Sequence, residues 1–438
     1  MKSNNELNNW SDDKIFIERE RYLKKLQYTA VIMLSIASII LMIGFVYTGR
    51  TWKAYALLST STMYQGVVNR DKENDSLDDT KKLMDEITNI YETSYVNDIE
   101  KEEIDEYVLN ALVTAYGDRY AVYRDLADTV DSSTAIASQI NGIGVLSRAV
   151  YDDYNTEYFI YIIDVYDGSP AEQAGLKIGD EVLKVNGKKL DSSKYNFNEA
   201  ISDIKGEAGT AVTLTVKDVN TGKISDITVV RQRTSVNTVR YKQLTDDVGY
   251  ILIRSFEMTT ADEVKEALDY FSKLNISKFV FDVRDNTGGL KHTVIETLDM
   301  LVGKGVLMYE LNSKGEVIDT SMSDADCIKF ESVTLVNSYT ASAAELFTKC
   351  LSDYDLTTTI GETTFGKGTV CTTYPLSNGG SVMVSTGKYL TKSKEDIEKK
   401  GIKPDIEMEL SEEKLEIFYK LTVDEDDLIQ RAIEELNN

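Results

Sequence analysis

Three short stretches of this chain hold residue types that can do covalent chemistry together. In "TASAAELF", Thr340 to Phe347, Ser342 stands among small residues where a strand pattern, "SVTLVN", gives way to a helical one, "SAAELFTKCLSDY". Leu346, Phe347, Cys350 and Leu351 supply that helix's apolar face. A serine at a helix start lies beside backbone N–H groups that stabilise negative charge. The same spacing also fits a plain helix cap, with Glu345 three residues on completing a capping box. In "TTFGKGTV", Lys367 lies between two glycines, which let the backbone turn sharply and approach closely. In "DVRDNTGG", Asp282 to Gly289, a double glycine after a strand-like run can expose N–H groups to a reacting oxygen. Taken singly, the last two are also ordinary loops.

If Ser342 is a nucleophile, something must take its proton. The chain has one histidine, His292, just after "NTGGLK". A Ser–His–Asp arrangement through it is one option. Lys367 is the better base. An unperturbed lysine has a pKa of about 10.4, so it must lose about 3 units, or about 4 kcal/mol, to act near neutral pH. A dry loop closing over the ammonium would supply that, and the neutral amine could then accept the serine proton.

The elements that must position these groups follow from the rest of the chain. Its 438 residues allow two or three domains. A net charge of −25 argues against a nucleic-acid binder, which needs a basic face. Three cysteines, Cys327, Cys350 and Cys371, make neither a disulfide framework nor a zinc site. No residue from Tyr28 to Tyr47 is charged. Such a run, roughly 20 helical residues at ~1.5 Å each, spans about 30 Å of hydrocarbon. Lys14, Arg19, Arg21, Lys24 and Lys25 precede it, which predicts a cytoplasmic N-terminus and a body outside the membrane. A cleaved signal peptide and a buried core helix are the alternatives.

Residues 51–75 read as a polar linker and 76–127 as helical, with Leu83, Met84, Ile87 and Ile90 recurring at helical spacing. From about 140 the pattern turns to strands: "YFIYIIDVY", then "TAVTLTVKD" and "ISDITVVRQ" joined by "VNTGK". From 249, "GYILIRSF", "KFVFDVRDNTGG" and "SVTLVNS" alternate with helical runs, which predicts an α/β domain. The closing stretch, "SEEKLEIFYKLTVDEDDLIQRAIEEL", reads as an acidic helix.

Together these stretches resemble the carboxyl-terminal processing, or tail-specific, proteases. "TASAAE" fits the family's nucleophile motif with Ser342 as nucleophile, and "TFGKG" places Lys367 as base at the family's spacing. The resemblance implies an oxyanion hole made by the N–H groups of Gly288 and Ala343. "GYILIRSF", "GDRYAVY" and "GIKPDI" are further marks of the family. "GSPAEQAGLKIGDEVLKVNG", Gly168 to Gly187, looks like the PDZ domain these proteases carry. "NGIGVLS" then resembles the loop that receives a peptide's C-terminal carboxylate, through Gly142, Ile143, Gly144 and Val145. Two positions depart from the pattern. Cys371 stands where the family has a lysine-orienting glutamine, and a thiol is a poor partner for that task. Thr287 replaces a proline before the double glycine.

The resemblance implies an α/β protease core with an inserted, mostly β PDZ domain, flanking helical segments and one N-terminal transmembrane helix. The expected division is a cytoplasmic tail at 1–27, an anchor at 28–49 and a linker at 50–75. A helical region at 76–135 follows, then the PDZ domain at 136–235, the core at 236–410 and a helical segment at 411–438. The expected activity is that of a membrane-anchored serine endopeptidase, without metal or cofactor. It would cut extracytoplasmic proteins near their C-termini after the PDZ domain captures the free tail. The alternative is a catalytically weak PDZ scaffold on a degenerate protease body. Helical segments at 76–127 and 410–438 could pair two copies into a homodimer.

Overall fold

The strand "KFVFD", Lys278–Asp282, shows how the central sheet is built. Phe279 and Phe281 join one buried cluster with Ile251, Ile253 and Phe347, while Val280 between them joins another with Val248, Val333 and Leu335. A strand buried on both faces belongs inside a parallel sheet covered by helices on either side. The computed structural model describes residues 77–96, 101–151, 157–324, 326–411, 413–414 and 421–438. The sheet runs Val239–Gln243, Val248–Ile253, Lys278–Asp282, Glu331–Val336, Thr357–Gly361, Ile406–Glu407 in spatial order. Its first pair is antiparallel and every later pair parallel. Helices Thr260–Lys273, Lys291–Asp299 and Ala343–Asp353 pack on one face, and Asp427–Leu436 packs on the other.

The arginine of "DVRDNTGG" serves this framework. Buried Arg284 bonds Asp282 through Nε at 2.9 Å and Asp426 through Nη2 at 2.9 Å. Asp426 in turn caps the last helix by accepting from the Leu428 and Ile429 amides. Among the described residues of the closing stretch, Glu413, Lys414 and Asp427–Leu436 are helical as expected, while Thr422 to Asp426 are spent on a turn and the cap of the last helix.

A second, antiparallel sheet was not foreseen. It joins Val122–Arg124, Ser381–Leu390, Gly305–Leu311 and Val317–Ser323 in that order, with Thr369–Pro375 also paired to Ser381–Leu390. Its first strand interrupts the region expected to be helical. Helix Lys101–Ala115 ends at Gly117, φ +74°, and after a turn at Asp118 to Ala121 the chain pairs Val122 with Met383 before helix Leu126–Ile136. Helix Leu77–Ser94 belongs to a separate unit and leaves Leu83, Met84, Ile87 and Ile90 exposed. The tail, anchor and linker expected at 1–75 lie outside the described residues. Among the described residues no helix is long and apolar enough to cross a membrane.

The middle region is a β body with its own core, which includes Ile160, Ile162, Val182, Val185, Val212 and Leu214. Its antiparallel sheet follows the order Val145–Tyr151, Tyr158–Val165, Glu181–Val185, Ala211–Lys217, Ile224–Val230, and helix Phe197–Ile204 buries Ala200 and Ile204 against it. The chain enters through Gln139–Gly142 and leaves through Gln232–Ser235. These two strands pair antiparallel, and the Val236 amide donates to Ser138 O at 2.8 Å. On the core-facing side, buried Asp164 takes Arg240 at 2.8 Å and also Arg254.

Candidate active site

Ser342 follows a buried strand and directly precedes helix Ala343–Asp353. Its φ of +57° is in the left-handed region, which a residue with a side chain adopts only when its surroundings hold it there. Two neighbours do so. Asn286 O accepts the Ala341 amide at 2.9 Å, and Glu345 Oε2 accepts the Ser342 amide at 2.9 Å. The capping box expected from spacing is therefore present on the glutamate side, but its carboxylate does more than cap.

Glu345 is fully buried and receives four donors. Beside the Ser342 amide these are Thr364 Oγ1 at 2.5 Å and the amides of Gly366 and Lys367, both at 2.8 Å. A carboxylate has about four acceptor positions, so the group is saturated. Oε2 holds the Ser342 and Lys367 amides at once, which keeps those two nitrogens within two hydrogen-bond lengths. A second bridge repeats the connection. The buried Tyr389 hydroxyl donates to Ser342 O and to Lys367 O, each at 3.0 Å. Burial pushes this phenol well above its usual range, so it stays a neutral donor.

The glycine loop is held from its other side as well. Glu398 accepts the Gly368 amide at 2.9 Å and the Tyr120 hydroxyl at 3.1 Å. Burial and the nearby Glu398 push the Tyr120 phenol up to about 12. Gly366, φ +84°, has no room for a side chain, since a Cβ there would sit 2.8 Å from the Gly401 nitrogen. That contact ties "TFGKG" to "GIKPDI", and the Ile402 amide completes it with a 2.7 Å bond to Thr364 Oγ1.

The structure places Ser342, Ala343, Lys367 and Cys371 on the wall of one cleft of about 530 Å³, with His292 and Glu257. The side chains of Ser342 and Lys367 are not joined by a hydrogen bond; Lys367 Nζ instead lies over the Tyr120 ring, 5.0 Å from its centroid. Cys371 contacts Ser385, Sγ to Oγ 3.9 Å, and makes no hydrogen bond to Lys367 among the described residues. Nor does one link His292 to Ser342. Gly288 packs directly on the serine: a Cβ there would lie 2.8 Å from Ser342 Cβ and 3.0 Å from Ala343 N. Its N–H, expected to face a reacting oxygen, donates at 2.8 Å to Asn286 Oδ1, which folds back as a turn-forming asparagine does. The Ala343 N–H has no protein acceptor among the described residues.

In the middle region, Gly142 ends an entry strand opposite Gln232, Ile143 is buried and Val145 starts the first strand of the sheet. Gly144, φ +83°, packs against Ser169 so closely that a Cβ would fall 2.2 Å from Ser169 Cβ. The Gly144 and Ile143 carbonyls accept from Tyr166 and Ala171, while their own amides have no acceptor among the described residues. Sequence reasoning missed Tyr120, Tyr389, Glu398 and Asn286. "GDRYAVY" contained the first, though nothing in it pointed to the lysine.

Comparison with known proteins gives the family. Residues 247–408 match the family model for peptidase family S41, and residues 161–218 match that for a PDZ domain. The carboxy-terminal processing protease CtpA of Bacillus subtilis (strain 168) is 33% identical over 331 residues, which cover 74% of this chain and 69% of that protein. The crystal structure of a candidate S41 protease from Bacteroides fragilis NCTC 9343 is similar with a TM-score of 0.57 at 19% identity, over 76% of this chain and 90% of that one. At that identity the likeness speaks for the fold alone. The chain thus belongs to peptidase family S41, among the carboxyl-terminal processing serine proteases, and carries a PDZ domain.

Proposed function

We propose that this chain is a membrane-anchored serine endopeptidase working outside the cytoplasm, with Ser342 as nucleophile and Lys367 as base. The observation that carries the assignment is the double bridge between the two residues. Glu345 Oε2 binds both amides and the Tyr389 hydroxyl binds both carbonyls, at the wall of one cleft. Ser342 Oγ attacks the scissile carbonyl and passes its proton to Lys367 Nζ. The tetrahedral oxyanion forms beside the Ala343 amide, and the Gly288 amide joins it once released from Asn286 Oδ1. Collapse breaks the C–N bond, and Lys367 returns the proton to the leaving amine. Water then hydrolyses the acyl–serine bond, with Lys367 as base again.

In this reading the observed arrangement is a resting one. Lys367 must leave the Tyr120 ring, whose face favours a cation, and reach Ser342 as a neutral amine. Substrate arrives by its tail. The free amides of Ile143 and Gly144, with Gly142 and Val145 on either side, take the terminal carboxylate, and the peptide adds a strand along Val145–Tyr151. The uncharged run at 28–49 anchors the chain, with 1–27 cytoplasmic and the body extracytoplasmic.

The second reading, a PDZ scaffold with a weak protease body, is favoured by the same two engaged groups, Gly288 N–H on Asn286 and Lys367 on Tyr120. One experiment separates the two. The full-length chain in detergent is treated with a fluorophosphonate serine probe and with a peptide bearing a free apolar C-terminus or its amidated twin. The proposal expects labelling and cleavage that Ser342→Ala and Lys367→Ala abolish, and slower cleavage of the amidated twin. Unlabelled wild-type protein would leave the scaffold reading standing.

A further inference from the structure

A carboxyl group in the cleft has no job in the mechanism above. Glu257 follows Phe256, whose amide and carbonyl bind Gly288 O at 2.9 Å and the Leu290 amide at 2.6 Å. That rung fixes the glycine segment lying against Ser342, and Glu257 is the residue directly after it. Its own amide is tied to Thr260 Oγ1 at 2.9 Å, and the Met258 amide to Ile136 O at 3.1 Å, so the backbone is held on both sides. The side chain lines the Ser342 cleft, and Oε2 is buried with no hydrogen-bond partner among the described residues.

A buried carboxylate oxygen without a donor is costly and calls for a cation. The chain brings several cationic or titratable groups to the same cleft, and none reaches ion-pair distance of Glu257. Lys291 is committed to Glu310 at 2.6 Å and to Asp319 at 3.5 Å. Lys367 lies over Tyr120. Arg124 and His292 also line the cleft, as do Cys371 and Tyr389, and none of them pairs with Glu257. Burial alone pushes this carboxyl up to about 7, as expected for an acid with no neighbouring positive charge.

We propose that Glu257 forms a cation-recognising subsite of the Ser342 cleft, selecting substrates that carry a lysine or arginine close to the scissile bond. The inference rests on the reading of Ser342 as nucleophile for its place in catalysis. The incoming ammonium or guanidinium supplies the donor that Oε2 lacks and holds the carboxyl ionised. The chemistry of the bond cleaved is unchanged; only which side chain is accepted beside it is set.

The test uses peptides with one free apolar tail, in which a lysine or its uncharged isostere norleucine is moved through the positions flanking the cut. The readout is the lysine-to-norleucine ratio of kcat/KM within each enzyme, so general losses of activity cancel. Wild type should favour lysine at one position by roughly ten- to a hundredfold at pH 8, the worth of a hydrogen bond to a charged group. The ratio should shrink towards one at pH 6, as the carboxyl takes up a proton. Glu257→Gln should flatten it at both pH values, and Glu257→Asp should keep part of it. A wild-type ratio near one at every position, or a preference that survives in Glu257→Gln, overturns the proposal. If wild type cleaves no peptide, the Ser342 reading fails separately. Glu257 is then judged by binding of the amidated lysine and norleucine peptides to the Ser342→Ala chain, since these lack the carboxylate that a PDZ loop would hold. Equal binding there overturns the proposal too.

Discussion

Replacing Glu345 by glutamine changes one oxygen to an NH2 group and almost nothing else in shape. The carboxylate now accepts from four donors, two on each oxygen. In Glu345→Gln one side keeps its pair of donors, and the other turns an NH2 towards groups that are themselves donors. If the amide faces Oε2's partners, the Ser342 and Lys367 backbones lose their common acceptor; if it faces Oε1's, Thr364 and Gly366 lose theirs. Hydrogen bonds to a charged acceptor are worth about 1.5–3 kcal/mol each, so two lost bonds amount to about 3–6 kcal/mol. The site is fully buried, so water cannot easily replace them. Part of that sum lowers stability and part is relieved by the glycine loop moving away. A loop displacement of about 1 Å is enough to cost roughly a hundredfold in rate. Urea melts and peptide cleavage should therefore show a lower midpoint with kcat/KM down at least a hundredfold, while tail binding by the PDZ domain stays intact. A glutamine variant with an unchanged midpoint and kcat/KM within twofold of wild type would refute the idea that this carboxylate holds nucleophile and base together.

Four further outcomes follow from the same geometry. Tyr389→Phe strips one hydroxyl from two buried carbonyls and should cost about 1–3 kcal/mol in a denaturant melt, with a fall in kcat. Gly288→Ala puts a methyl 2.8 Å from Ser342 Cβ at φ +109° and should abolish probe labelling while the PDZ domain still binds tails. Asp164→Asn leaves Arg240 and Arg254 without their anion; since both guanidinium groups keep some solvent, a loss near 3 kcal/mol is expected by urea unfolding. Glu257 binds its proton more tightly folded than unfolded, so the fold loses stability as pH rises from about 4.5 to about 7. Glu257→Gln should accordingly gain about 1–3 kcal/mol over wild type at pH 8, allowing for the partly exposed stem, and little at pH 5.

The parts legible in the sequence are those whose signal is local. "KFVFD" and "SVTLVN" announce buried strands by apolar continuity, and "SAAELFTKCLSDY" announces a helix by its period. The glycines of "TFGKG" and "DVRDNTGG" mark places where backbone must pass close to backbone, and the structure has both Gly366 and Gly288 in such contacts. What stayed hidden depends on residues far apart in the chain. Tyr120, Tyr389 and Glu398 converge on one loop from two ends of the sequence, and no spacing rule connects them. Glu345 was visible as a helix cap, yet its other donors come from about twenty residues downstream. The second sheet was missed for a similar reason. "TVCTTYP" has little apolar alternation, being exposed over its later half, and it is paired only because its neighbour Ser381–Leu390 is held by two other strands.

The doorway of the β body, where Gln139–Gly142 and Gln232–Ser235 zip together, bears on how such enzymes change over time. A segment that departs and returns within one hydrogen bond resembles a cassette, tied to its host beyond the seam by Asp164, which any replacement would have to match with an anion for Arg240 and Arg254. β bodies of different binding preference could be exchanged at that seam, between Ser138 and Val236, provided each offers the two arginines such an anion, while the sheet behind it keeps its strands in place.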